Sequence, residues 1–431
     1  MRKVDIGILR ATRIKFDFIG DFTLDGKPVP ADNSVFIEDG RLCFNGKGYS
    51  ALCFKPLTDD CSFVLHDVVI GVGFHWQRFE DQTFKGELCL VVEDGEVRAI
   101  NRLFVEDYLV SVISSEMSAT SSLEFLKAHT VISRSWLYAQ LDRCERVENA
   151  QLGYENDSEI VRWYAREDHH NFDFCADDHC QRYQGMTRAL NPNVARAVEE
   201  TRDIVLKYDG KVCDARFSKC CGGVTERFSA CWEGVDYDYL QAFRDCADAP
   251  QLPLLTTEEG AREWIESVPL SYCSTDDKTV LSQILNGYDR ETNDFYRWKV
   301  VYTQSELSSL VAERSGIDFG AIEDLRPVER GASGRIVKLK IVGSKTVMTV
   351  GKELEIRRWL SKSHLYSSAF VVDKEFAPNG EVQFVLKGAG WGHGVGLCQI
   401  GAAMMGEKGY GYKEILAHYY RGAVIDKIDK L

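Results

Sequence analysis

Alternation of apolar and polar residues dominates the first hundred positions of the chain. Short β-type runs occur at Val4–Leu9, Ile14–Phe18, Val35–Ile37, Ala51–Phe54, Ser62–Leu65, Val68–Val72, Glu87–Val92 and Glu96–Ile100. They read as strands, because successive strand side chains point to opposite faces. Asp39-Gly40 and Asp94-Gly95 punctuate them, and Asp94-Gly95 between two such runs is a hairpin signal. The pattern then changes period. Tyr108–Glu116 predicts a short helix, and Ser121 with Glu124 offers a capping box for a second helix that runs to Leu141. Residues 146–185 are polar, aromatic and rich in Cys and His, with no clear period. Strands return at Ile204–Tyr208 and Val212–Ser218.

Residues 242–330 carry Pro250, Pro253 and a helical stretch, Thr257–Ser267, and close with a strand at Arg297–Val300 and a helix at Gln304–Ala312. Alternation resumes at Ile336–Val342 and Val347–Leu354, and helical pattern at Gln399–Met405 and Tyr412–Tyr420. The whole predicts an α+β chain, β-rich, with a central helical pair and a C-terminal glycine-loop and helix segment.

Composition narrows the class. With 431 residues, 45% hydrophobic and 27% charged, the chain has ample length for a sizeable core and two or three lobes. A net charge of −14 argues against nucleic acid as a partner, since phosphate contacts need clustered Lys and Arg. No apolar run is long enough to span a bilayer, and the N-terminal stretch lacks the apolar core of a secretory signal. Among the 14 cysteines, Cys43, Cys53, Cys61 and Cys89 lie singly in strand pattern and read as buried small hydrophobes.

Two places concentrate chemistry. The first is Asp168–Gln181, where His169, His170, Cys175, His179 and Cys180 crowd together. Cys175 and Cys180 have zinc-type spacing, and two thiolates with two imidazoles complete a tetrahedral set. The sequence leaves open whether His169 or His170 joins Cys175, His179 and Cys180, and a Cys175–Cys180 disulfide is the competing reading. Four protein ligands would make the zinc structural rather than catalytic. The second place is Trp391–Ala402, where Gly392, Gly394, Gly396 and Gly401 surround His393 and Gln399. Glycines at that density disfavour regular structure and suit tight turns or close approach to a ligand. This loop leads into a helix N-terminus, whose N–H groups can hold polar or anionic groups. The vicinal Cys220-Cys221 pair reads as unpaired thiols, with a metal role left open. Ser218 has no evident base partner and is not a candidate nucleophile.

The wording of several segments resembles one family. Gly392–Ala402 closely resembles the C-terminal signature of the SpoIID/LytB family, with Cys398 where a small residue such as Ser is usual, and Tyr419-Tyr420-Arg421-Gly422 resembles its closing motif. Asp107–Met117 resembles its Tyr-Leu-x-x-Val-x-x-x-Glu-Met motif, with Ser118 where Pro usually follows; Lys127 and Arg134 stand at the family's spacing. Gln181–Gly185 matches Gln-x-Tyr-x-Gly, and Ser218–Thr225, Ile356-Arg357 and Ser367–Phe370 match further segments. The resemblance covers most of 100–431. It implies a SpoIID-like fold, in which 1–100 is a β-rich N-terminal region, 101–241 the core with the Glu116 helices and Cys/His loop, 242–330 a partly inserted α/β region and 331–431 the C-terminal segment.

The resemblance also implies an activity: a lytic transglycosylase that cleaves peptidoglycan strands stripped of stem peptides, with Glu116 as the acid. Such an enzyme needs one carboxylate rather than the usual glycosidase pair. The carboxylic acid protonates the glycosidic oxygen, then accepts the proton of the C6 hydroxyl of the same sugar as a 1,6-anhydro ring closes. Lys127, Arg134, Gln181, Tyr183, His393 and Gln399 are the implied substrate-binding residues. Lys127 and Arg134 stand seven apart, roughly 20° from one azimuth of a helix, so both can meet exposed lactyl carboxylates. A solvated face, or Arg134 bracing a buried network, is the plain alternative. Some relatives hold a zinc ion at the Cys/His loop. A second class of function, an amidase enhancer that grips glycan or a cell-wall amidase without cleaving, shares the same motifs. A third, a zinc-dependent hydrolase, predicts loss of activity with chelator and persistence without Glu116. Either cell-wall role places the protein outside the cytoplasm, with peptidoglycan or an amidase as partner.

Overall fold

The structure is a computed structural model that describes residues 2–70, 78–117, 121–144, 153–164, 169–177, 179–187, 192–248, 251–284 and 294–428. The expected strand end at Val72, Ser118 and Asp168 lie outside the described residues. The chain is α+β and strand-rich. It divides into two compact units, Met1–Arg134 with Arg166–Asp203, and Ser135–Ala165 with Ile204–Leu431. This division does not follow the boundaries at 100, 241 and 330. The helical pair belongs with the N-terminal strands: its first helix continues directly from strand Glu96–Phe104, and Tyr108 on that helix stacks against Tyr183, ring centroids 5.3 Å apart.

The first unit contains a seven-stranded and a six-stranded sheet. Its strands are mostly the expected runs, somewhat lengthened. Glu87–Glu93 and Glu96–Phe104 pair antiparallel across a two-residue turn in which Asp94 and Gly95 both have positive φ, 51° and 79°. That is the type I′ geometry the right-handed strand twist favours. The runs at Ser62–Leu65 and Val68–Val72 prove to be one strand, Ser62–Ile70, with Asp67 at φ 57° between them. The unit also contains Arg78–Lys85, which pattern alone did not indicate. Phe16, Phe22, Phe54, Phe63 and Phe84 are fully buried among these strands.

Cys53 and Cys89 correct the reading of four isolated buried thiols. They stand directly opposite each other on neighbouring antiparallel strands and form a disulfide. Cys43 and Cys61 are buried free thiols.

Three helices complete the unit: α1, Val105–Glu116; α2, Leu123–Cys144, whose last residues belong to the second unit; and α3, Pro192–Glu200. Glu106 and Asp107 in the first turn of α1 suit the positive end of its dipole. The apolar faces meet through Ile113 of α1, Leu126 of α2, and Val194 and Ala197 of α3. At the start of α2, Phe125 N–H donates to the Ser122 hydroxyl at 3.4 Å.

The second unit is built on a five-stranded sheet, a three-stranded sheet of Arg297–Thr303, Phe370–Phe376 and Val382–Ala389, and smaller sheets. Trp298, Leu307, Leu339, Ile341, Phe370 and Leu386 are buried in its core. The helix Gln304–Ser315 has a complete capping box between Thr303 and Glu306. The expected strand Val212–Ser218 is reduced to Lys211–Val212 and Phe217–Ser218. The expected run Val347–Leu354 ends at Gly351, before the helix Glu353–Trp359. No helix of the described residues is long and apolar enough to cross a membrane.

Candidate functional site

Glu116 is the last residue of α1, and Met117 after it is extended at φ −142° and ψ 163°. The helix stops there and leaves the carboxylate partly exposed, while Val112, Ile113 and Met117 around it are buried. Its Oε1 accepts the backbone N–H of Arg182 at 2.9 Å. The carboxylate is therefore located by main chain as well as by its own helix.

Arg182 lies just beyond the Cys/His loop, which is tied into the first unit. Phe174–Cys175 pairs parallel with the strand Lys3–Ala11, Ile6 opposite Phe174 and Gly7 opposite Cys175. The Phe172 ring occupies the space over Gly7 that any larger side chain would need. Asp5 N–H donates to Asp173 at 2.9 Å, and Tyr183 N–H to the Ala176 carbonyl at 3.0 Å.

Within this frame His169, Cys175, His179 and Cys180 bring one donor atom each to within 4.8 Å of one another. His169 Nε2 is 3.2 Å from Cys180 Sγ, and His179 Nδ1 is 3.7 Å from Cys180 Sγ and 3.9 Å from Cys175 Sγ. The hydrogen bond from Cys180, with those of His169 and His179, holds the Cys175 thiol far below its ordinary pKa, so a thiolate is favoured there. Cys175 and Cys180 are free thiols, so the disulfide reading does not describe this structure. His170 is exposed and stands outside the group.

The other expected contact residues of this unit are more enclosed. Arg134 is fully buried; its guanidinium meets Glu106 through two nitrogens at 3.0 and 2.5 Å and donates to the Thr201 carbonyl at 2.8 Å. This is the bracing arrangement that the sequence left as its alternative. Lys127 pairs with Glu124 at 2.8 Å and Glu200 at 2.6 Å, and its side chain is 13% exposed. Gln181 is fully buried, accepting from the Tyr108 hydroxyl at 3.3 Å and donating to the Ser133 carbonyl at 3.4 Å. Tyr183 is buried, its hydroxyl donating to Asn101 at 2.6 Å.

His393 and Gln399 belong to the second unit. Of the glycine loop there, Trp391, Gly392 and His393 are half-buried, and Gly394, Gly396 and Gly401 are buried. Arg335, fully buried, donates to the Gly392 carbonyl at 3.1 and 3.0 Å, and its guanidinium occupies the place a side chain at Gly394 would take. Ile400 N–H at the start of the helix Gln399–Glu407 donates to the Lys219 carbonyl at 3.1 Å, and Gln399 is buried. One N–H of this helix start is thus taken by main chain. His393 Nδ1 accepts the Val395 N–H at 3.0 Å, which places a ring proton on Nε2. Dense packing, then the Arg216, Arg335 and Arg357 guanidiniums, hold its pKa well below the usual imidazole value, so the ring is neutral.

Comparison with known proteins fits the Glu116 unit to a class. Residues 93–208, which carry Glu116 and the Cys/His loop, match the family described as Stage II sporulation protein (SpoIID). Residues 226–396 match a domain of unknown function, DUF8618. Among individual proteins, the chain is 26% identical to an uncharacterized protein of Brachyspira hyodysenteriae, over 93% of this chain and 91% of that one. It is 26% identical to the amidase enhancer of Bacillus subtilis, over 74% of this chain but 40% of that one. It is 20% identical to stage II sporulation protein D of Bacillus subtilis, over 77% of both chains.

Proposed function

We propose that the protein acts on the bacterial cell wall, outside the cytoplasm, as a lytic transglycosylase on glycan strands that lack stem peptides. The observation that carries this reading is Glu116: a partly exposed residue at a helix end, beside the buried Val112, Ile113 and Met117 in the chain, with its carboxylate located by the Arg182 N–H. In its acid form Glu116 gives its proton to the glycosidic oxygen as the bond to the muramic acid C1 breaks. The resulting carboxylate then takes the C6 hydroxyl proton while that oxygen bonds to C1. Glu116 ends reprotonated, and no water is consumed. The C6 oxygen is held by the sugar itself, which replaces the second carboxylate of a hydrolase.

The donors of His169, Cys175, His179 and Cys180 fit a zinc ion in kind and number. Four protein ligands would leave such an ion no open position, so its role would be structural: it would close the loop just before Arg182, whose N–H meets Glu116. Lys127 lies partly exposed in the same unit and is the cation available to a lactyl carboxylate once Glu124 and Glu200 release it.

The similarity to an amidase enhancer favours a second reading, in which the protein grips glycan or a cell-wall amidase without cutting. Digestion of stem-peptide-free glycan separates the two. Products ending in 1,6-anhydro-muramic acid with the wild type and none with Glu116→Gln support the enzyme. Cleavage by neither protein, with glycan retained in a pull-down, supports the enhancer.

A further inference from the structure

Cys221, Asp245, Cys273 and Cys398 come from four separate stretches of the chain and meet inside the second unit. All are buried, at 3%, 0%, 1% and 0% exposure. One donor atom from each lies within 4.8 Å of the others. The Cys221 and Cys273 sulfurs are 3.5 Å apart, and the Cys221 sulfur is 3.3 Å from Asp245 Oδ2.

Buried cysteines are commonly just small hydrophobes, but that does not explain a fully buried carboxylate among them. An apolar cluster would exclude Asp245, because burying a carboxylate is costly without strong partners. Its Oδ1 is held from the far side by His418 Nε2 at 3.0 Å and the Tyr419 hydroxyl at 2.9 Å. Its Oδ2 is thereby turned toward the sulfurs. Carboxylate ligands of metals are typically fixed in this way through their other oxygen. The sulfurs are also in polar company: Cys221 N–H donates to the Cys398 sulfur at 3.2 Å, and the Ser271 hydroxyl lies 3.3 Å from the Cys273 sulfur. Gly401 leaves the room for this packing, since a side chain there would collide with the Tyr419 hydroxyl and the Asp245 carboxylate.

We propose that these four residues form a second metal site, a tetrahedral S₃O cage for a divalent cation of the zinc class, with His418 and Tyr419 orienting the carboxylate ligand. The size is right: zinc–sulfur bonds of about 2.3 Å place two thiolates of a tetrahedron about 3.8 Å apart. A cluster of several irons needs a wider cage. Binding releases whatever protons the thiols carry, as for other thiolate sites. With four protein ligands the ion is structural. It ties together a stretch with little regular structure of its own: between Phe217–Ser218 and Glu258–Ser267 the described residues hold one three-residue turn of helix, Phe228–Ala230. The proposal is independent of the cell-wall reading, since it concerns the other unit.

The test uses the full chain with Cys175→Ser and Cys180→Ser, which removes the thiolates of the first cluster. The protein is purified reduced and without chelator, its fold checked by circular dichroism. Elemental analysis is expected to find about one equivalent of zinc per chain, lost on adding Asp245→Asn or Cys398→Ser. Because truncating a buried ligand endangers folding, the unaltered cage is also exchanged with cobalt(II). Intense tetrahedral d–d bands with sulfur-to-cobalt charge transfer are expected. A folded protein with no metal and no such spectrum, or a Cys221–Cys273 disulfide found by peptide mapping beside Cys53–Cys89, overturns the proposal. So does full metal retention in folded Asp245→Asn, which removes the carboxylate from the cage.

Discussion

The backbone N–H of Arg182 donates to Glu116 Oε1 at 2.9 Å, and Arg182 stands two residues beyond Cys180, one of the four donors of the Cys/His cluster. The position of the acid is thus mechanically linked to the cluster through a short piece of main chain. Removing the metal proposed there should therefore lower glycan cleavage by about 10–100-fold, the range typical of lost support around a metal site. Zinc should restore it in the wild type and not in Glu116→Gln. Chelation that leaves cleavage untouched would break the link.

The two histidines at the loop start should differ. His169→Ala should lose the metal of the first cluster, whereas His170→Ala should keep it, because His169 Nε2 is 3.2 Å from the Cys180 sulfur and His170 is exposed. Metal content of the two variants decides this, and equal loss in both would place the ligand set elsewhere.

Arg134 and Lys127 should separate in the same manner. Arg134→Met strands Glu106, 14% exposed, and the Thr201 carbonyl, so a loss of about 3–5 kcal/mol in denaturant unfolding is expected. Lys127→Met breaks partly exposed pairs and should cost about 0–1 kcal/mol. If Lys127 meets the glycan, that variant raises KM with kcat little changed. A stable Arg134→Met would show that the buried pair does not brace the helix.

His393 gives the second unit an acid limit. Its pKa is lowered on folding, so the folded state binds fewer protons than the unfolded chain below the ordinary imidazole value of about 6.5. The neutral ring's contribution is fully present above about pH 6.5 and is lost as pH falls below it. Unfolding midpoints taken from pH 8 to pH 5 should fall more steeply for the wild type than for His393→Asn. Parallel curves would mean that the ring has the same pKa in the folded and unfolded chain.

Gly396 has φ 72°, and a side chain there would meet the Arg216 carbonyl. Gly396→Ala should therefore destabilise by at least about 1–3 kcal/mol, read by thermal unfolding. Unchanged stability would show that the glycine run is kept for another reason.

Much of the first unit could be read from alternation, because its strands bury one face and solvate the other. Arg78–Lys85 escaped because it is mostly polar and buries Gln82 on its inner side, at 1% exposure. The closely spaced Cys and His residues announced their convergence, but side-chain direction, which spacing does not encode, separates His169 from His170. Helix arithmetic put Lys127 and Arg134 near one azimuth, yet it carries no information on Glu106, which lies opposite Arg134 from another helix. Asp245 and Cys273 gave no local signal, since their partners lie up to 174 positions away along the chain. The Arg182 contact to Glu116 is made by main chain, which any residue type supplies.

The most direct measurement is digestion of stem-peptide-free glycan in ¹⁸O-labelled water, with the new ends read by mass spectrometry for the wild type and Glu116→Gln. Intramolecular attack by the C6 oxygen predicts 1,6-anhydro ends that carry no label, formed by the wild type and not by the variant. Labelled reducing ends, or anhydro ends still formed by Glu116→Gln, would contradict the single-carboxylate mechanism assigned to Glu116.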